Sequence, residues 1–205
     1  MKKNLLTILT GLMAIAVQAQ ENPAYRIFTG EGDEVDYTTM LKTVSKADVV
    51  FIGETHNCPI AHWIEYEVIS DIARKSPDGL VVGAEMLESD NQLLVDEYVS
   101  GLISSDRFES EAKLWDNHYT DYAPLLYLAR DKGLRFIATN VPRRYASYVK
   151  DNGLDALNAL SDAAKVLMAP LPIAYDEASE DNGMFVFMNM MAGHDSQSYY
   201  AEAQA

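Results

Sequence analysis

Residues 79–86 read Gly79-Leu80-Val81-Val82-Gly83-Ala84-Glu85-Met86, and the fold class turns on this run. Leu80 to Ala84 is apolar without alternation, which predicts a strand buried on both faces, as in a parallel sheet. Upstream, Ile60, Ile64, Val68 and Ile72 recur every four residues, so 59–75 is predicted to be an amphipathic helix. Pro59 suits its first turn and Asn57 its cap. Further back, Ala47-Asp-Val-Val-Phe-Ile52 stops at Gly53 and is predicted to be another buried strand. Downstream come a helix from about Asn91 to Leu102 and a helix from Thr120 to Lys132 closed by Gly133. A strand over 134–138 and a helix from Pro142 to Asn152-Gly153 follow. Strands and helices thus alternate, which predicts an α/β fold with a mainly parallel sheet flanked by helices.

From Leu154 onward the strand signals stop and Ala, Leu and Met dominate. Pro170 and Pro172 interrupt this part before a helical run from about Asp181, so the C-terminal part reads as a helical subdomain. Met184, Met188, Met190 and Met191 are spaced for a helix and read as core or groove lining. Residues 20–44, punctuated by Pro23, Gly30 and Gly32, read as an irregular lead-in to a domain covering 45–205.

The chain has 205 residues, 31 acidic and 16 basic, for a formal charge of −15. With 48% apolar residues it can bury a core, which excludes wholesale disorder. The acidity argues against a nucleic-acid partner, because phosphate needs Lys and Arg to neutralise it. One cysteine, Cys58, excludes an internal disulfide framework and a multi-cysteine zinc site. It reads as a buried or half-buried free thiol.

The first nineteen residues read as an export signal. Lys2 and Lys3 open it, and Leu5 to Val17 is apolar apart from Thr7, Thr10 and Gly11. Val17-Gln18-Ala19 offers a cleavage site. The apolar run is too short to span a bilayer. Cleavage after Ala19 leaves 186 of 205 residues and, with two lysines gone, a charge of −17. No cysteine follows the cut, so a lipoprotein anchor is not expected.

In open α/β sheets ligands bind beyond the carboxyl ends of the strands. Glu54 and His56 follow the first expected strand, Glu85 the second, and Asn140, Arg143 and Arg144 the third. Such carboxylates and an imidazole can bind a divalent cation, orient a water or hold a cofactor. Bland readings stand beside these: Glu54 and His56 as solvated loop groups, Glu85 paired with Arg143 or Arg144, and Asn140 as a turn residue. His62 and Tyr66, four apart on one helix, form either a joint cofactor face or an ordinary surface pair. His118 and Tyr119 precede a helix, in a place that is unspecific. The chain contains no G-x-G-x-x-G, P-loop, G-x-S-x-G or H-E-x-x-H segment.

Four segments then occur in a familiar order: Phe51-Ile-Gly-Glu-Thr-His56, Gly83-Ala-Glu85-Met86, Trp115 through Tyr122-Ala-Pro-Leu125 to Gly133-Leu134, and Ala138-Thr-Asn140-Val-Pro-Arg143. Together they resemble the ChaN-like haem-binding uptake family, of a superfamily with the erythromycin esterases and Tiki-type proteases. The resemblance covers about residues 45–205. It implies an exported bacterial protein, periplasmic or in the cell envelope, that binds haem in iron acquisition. It also implies an outer-membrane haem receptor as a partner and pairing of two copies around haem.

A tyrosine ligating ferric haem, with a histidine assisting, is what the resemblance implies for the site. Tyr145, Tyr148, Tyr175, Tyr199 and Tyr200 compete for that role, and Tyr145, Tyr175 and His194 join Glu54, His56, Glu85, Asn140 and Arg143 as the cofactor-binding set. The absence of C-x-x-C-H excludes covalent c-type attachment. The hydrolytic branches imply an alternative: a metal-dependent esterase or peptidase using Glu54, His56 and Glu85, with Glu54 and His56 on the metal. Relatives continue past the point where this chain ends, so the resemblance also implies a domain cut short at its C-terminus.

Overall fold

A computed structural model describes residues 23–75 and 78–174 of the chain. The expected export signal, Tyr175, His194, Tyr199, Tyr200 and the methionine cluster lie outside the described residues. The fold is α/β. The chain divides into two compact units, one up to Glu65 and one from Tyr66, and each is described by itself.

The first unit opens with a small hairpin, β1 (Ile27–Phe28) and β2 (Glu34–Val35), paired antiparallel. Gly32, at φ 93°, makes the turn, and its N–H donates to the Thr29 carbonyl at 3.0 Å. Arg26 and Glu34 form an ion pair alongside the hairpin. Helix α1 (Tyr37–Val44) follows, capped by the Asp36 carboxylate, which accepts the Thr39 N–H. The described part of the lead-in thus carries a hairpin and a helix where the sequence predicts irregular chain. Its strands are two residues long, too short to leave a periodic signal.

The long helix α2 (Pro59–Lys75) begins at the proline the sequence marks and runs across the division between the units. The segment before it overturns an expectation. Residues 47–52 pair with no strand among the described residues, and Phe51 is 94% exposed. An apolar, β-branched run favours extended backbone, but a strand exists only where a second chain segment supplies the matching N–H and C=O groups.

The second unit is built on β3 (Val81–Glu88) and β4 (Arg135–Asn140), a parallel pair with Val82 opposite Phe136 and Ala84 opposite Ala138. Parallel strands need a long crossover, and it contains three helices: α3 (Gln92–Val99), α4 (Ser105–Glu111) and α5 (Ala123–Lys132). A π-helical turn over His118–Tyr122 leads into α5. Gly133 ends α5 in the left-handed region at φ 64°, as its position in the sequence predicts. Ser104 caps α4 by accepting the Arg107 N–H. The sequence analysis names no element between Leu102 and Thr120, and α4, with only seven residues, is too short to stand out by periodicity.

The core of this unit packs Val82, Phe136, Val95, Tyr98, Phe108 and Leu126 together. Tyr98 and Phe108 stack at 4.7 Å between ring centroids. Gly83 permits the close approach of the two strands, since a Cβ there would meet Thr139 Cγ2 at 2.9 Å. After β4, Pro142 precedes α6 (Arg143–Asn152), a 3-10 turn covers Leu154–Ala159, and α7 (Asp162–Lys165) follows. No strand follows Asn140 among the described residues, as the sequence predicts for this part. No helix among them is long and apolar enough to cross a membrane.

Candidate functional site

Glu54 follows the exposed apolar run and turns its carboxylate inward, leaving 6% of the side chain exposed. Its two oxygens hold two histidines. Oε1 lies 2.6 Å from His56 Nδ1, and Oε2 lies 3.0 Å from His62 Nδ1. The i, i+2 spacing of Glu54 and His56 brings them together, as expected of extended chain. His56 keeps about half of its ring in solvent, whereas His62 is 4% exposed.

Helix α2 supplies the rest of the cluster. His62 and Glu65 are three apart and share a face, with Glu65 Oε2 at 3.7 Å from His62 Nδ1. One ligand atom from each of Glu54, His62 and Glu65 lies within 4.8 Å of the others. Burial, and then the Glu54 carboxylate, push the Glu65 carboxyl up to about 7. The second nitrogen of His62, Nε2, is 3.1 Å from the His56 main-chain carbonyl. A carbonyl only accepts, so Nε2 carries the proton of that bond.

The sequence reading put His62 beside Tyr66 and did not single out Glu65. The His62-x-x-Glu65 spacing was the available signal. A buried histidine and glutamate one helical turn apart, behind Glu54 and His56, form a four-residue constellation that strand-end reasoning does not reach.

Glu85 lies in the second unit and is exposed. It was expected just beyond a strand; instead β3 continues to Glu88. The register slips between Ala84 and Glu88, so Glu85 sits on an irregularity within the strand. The expected partners differ as well: Arg144 pairs with Asp90, and Glu88 pairs with Lys113 at 3.0 Å. Asn140 closes β4 opposite Glu88, and Arg143 is exposed at the first position of α6. Tyr145 is half-buried, one residue after Arg144, whose guanidinium lies 4.5 Å from its ring centroid. His118 is buried near Phe108, and burial lowers its pKa; it reads as a core histidine.

The second unit also carries an open groove of about 450 Å³ between the end of α2 and α5, within the range of about 300–1,000 Å³ usual for small-molecule sites. Tyr66, Arg74, Tyr127 and Lys132 line it.

The model of the family described as haem-binding uptake, Tiki superfamily, ChaN matches residues 40–205. The chain belongs to this family. The solved structure described as cofacial heme binding to ChaN of Campylobacter jejuni superimposes with a TM-score of 0.64 at 16% identity. That match covers 91% of this chain and 73% of the Campylobacter chain. At that identity the likeness shows a shared α/β fold. No curated protein matches the chain.

Proposed function

We propose that this chain is an exported haem-binding protein of bacterial haem and iron acquisition. Membership of the haem-binding uptake family over residues 40–205 carries the reading. The groove beside α5 supports it. Its two phenols are of the type that ligates ferric haem, and Arg74 and Lys132 are of the charge that pairs with propionates. Tyr145, Tyr175 and His194 remain part of the proposed ligand set from the sequence. The charged start and apolar run of residues 1–19 support export to the periplasm or envelope. An outer-membrane haem receptor and a second copy of the chain complete the proposal as partners.

Titration of the purified protein with haemin tests it. A saturable Soret change is expected, weakened by a Tyr→Phe series at Tyr66, Tyr127, Tyr145 and Tyr175 and by His194→Ala. Absence of saturation, or saturation indifferent to every substitution, overturns the reading. Sedimentation with and without haemin tests pairing of two copies.

A further inference from the structure

We propose that Glu54, His62 and Glu65 form a binding site for one divalent cation of the kind that takes nitrogen and oxygen donors together, such as Zn2+, Co2+ or Mn2+. The site shares Glu54 with the cofactor-binding set that the family resemblance implies, but every residue in it belongs to the first unit, and no haem contact enters the argument.

The tautomer of His62 is the starting point. Its Nε2 proton is committed to the His56 carbonyl at 3.1 Å, so neutral imidazole presents a lone pair at Nδ1. That lone pair faces Glu54 Oε2 at 3.0 Å and Glu65 Oε2 at 3.7 Å. Three electron-rich atoms therefore converge where water has little access, the three side chains being 6%, 4% and 11% exposed. Such an arrangement calls for shared protons or a positive charge among the three atoms. A proton can serve one pair of atoms. A divalent cation serves all three and balances two carboxylates.

The spacing suits a metal. With bonds of about 2.1 Å, neighbouring ligands at tetrahedral or octahedral angles lie about 3.0–3.4 Å apart. Of the two separations from Nδ1, 3.0 Å lies at the lower end of that range and 3.7 Å just above it. The supports around the ligands also match what metal sites use. A backbone carbonyl orients the histidine through its far nitrogen, and His56 Nδ1, 2.6 Å away, holds the other oxygen of Glu54. Two carboxylates and one imidazole favour metals that accept mixed donors over Mg2+ or Ca2+, which take oxygen alone. Three protein ligands leave room for water or a ligand at the metal.

The test uses the full chain after treatment with a chelator. Co2+ titration followed by visible absorption should show one equivalent bound, displaced by Zn2+. His62→Ala should abolish the signal, and Glu54→Gln and Glu65→Gln should each weaken binding at least tenfold. His56→Ala, which removes only a support, should weaken it about tenfold. A second measurement needs no variant: in a histidine-selective 15N spectrum, Zn2+ should move the Nδ1 resonance of His62 and leave that of His118 in place. No stoichiometric binding, binding indifferent to all three ligand substitutions, or an unmoved His62 overturns the site. Loss of haemin binding alone leaves it standing.

Discussion

The side chain of Gln92 accepts the Ala138 N–H through Oε1 at 2.8 Å, while its Nε2 donates to the Phe136 carbonyl, also at 2.8 Å. These are the two backbone groups that a neighbouring strand would use on that side of β4. The first residue of α3 thus stands in for a strand and satisfies β4 without one.

Replacing Gln92 by Met, of similar length, removes both bonds and leaves a buried donor and acceptor. The expected cost is about 2–4 kcal/mol, read from the midpoint of urea unfolding. A change below about 0.5 kcal/mol would mean that water or a rearranged side chain takes over both groups.

Phe108 is 1% exposed and stacks on Tyr98. Phe108→Ala should destabilise the second unit by about 3–5 kcal/mol through lost burial and a cavity. Phe108→Leu should recover much of that. Calorimetry on the two variants separates apolar volume from ring stacking.

His118 is buried, and burial lowers its pKa from the ordinary value of 6.5. Above pH 6.5 neither folded nor unfolded chain is protonated there, and this contribution to stability is fully present. As pH falls below 6.5 the unfolded chain takes the proton first, so stability declines until the folded pKa is passed. His118→Gln should flatten the decline in melting temperature between pH 7 and pH 5. An unchanged slope would assign it to other groups.

His56 and His62 contact the same carboxylate but differ in exposure. In chelator, His56→Ala should cost less than about 1 kcal/mol, as half-exposed pairs do. His62→Ala leaves Glu54 and Glu65 buried without their partner and should cost about 3 kcal/mol. Denaturant unfolding of the pair decides, and equal costs would contradict the buried arrangement.

Much of the second unit was readable from local signals. Leu80-Val81-Val82, Gly133 and Pro142 mark a strand, a helix end and a helix start because each acts within a few residues. The bulge in β3 was not readable, since a register slip depends on what β4 presents opposite. In the site, Glu54 and His56 stood out through their place after an apolar run. The sequence offers His62 either a cofactor face with Tyr66 or a surface pair, and does not mark Glu65. Nothing local tells a buried helical glutamate from a solvated one.

The sequence by itself determined the α/β class, most element boundaries beyond residue 58 and the family, and it pointed to Glu54 and His56 of the candidate cluster. Those features rest on periodicity, capping chemistry and ordered motifs, which are properties of neighbours along the chain. Only the tertiary structure decided that residues 47–52 remain unpaired, that Gln92 completes β4, and that His62 and Glu65 join Glu54. Strand pairing, burial and ligand convergence depend on groups distant in sequence, and their energies exist only once those groups meet.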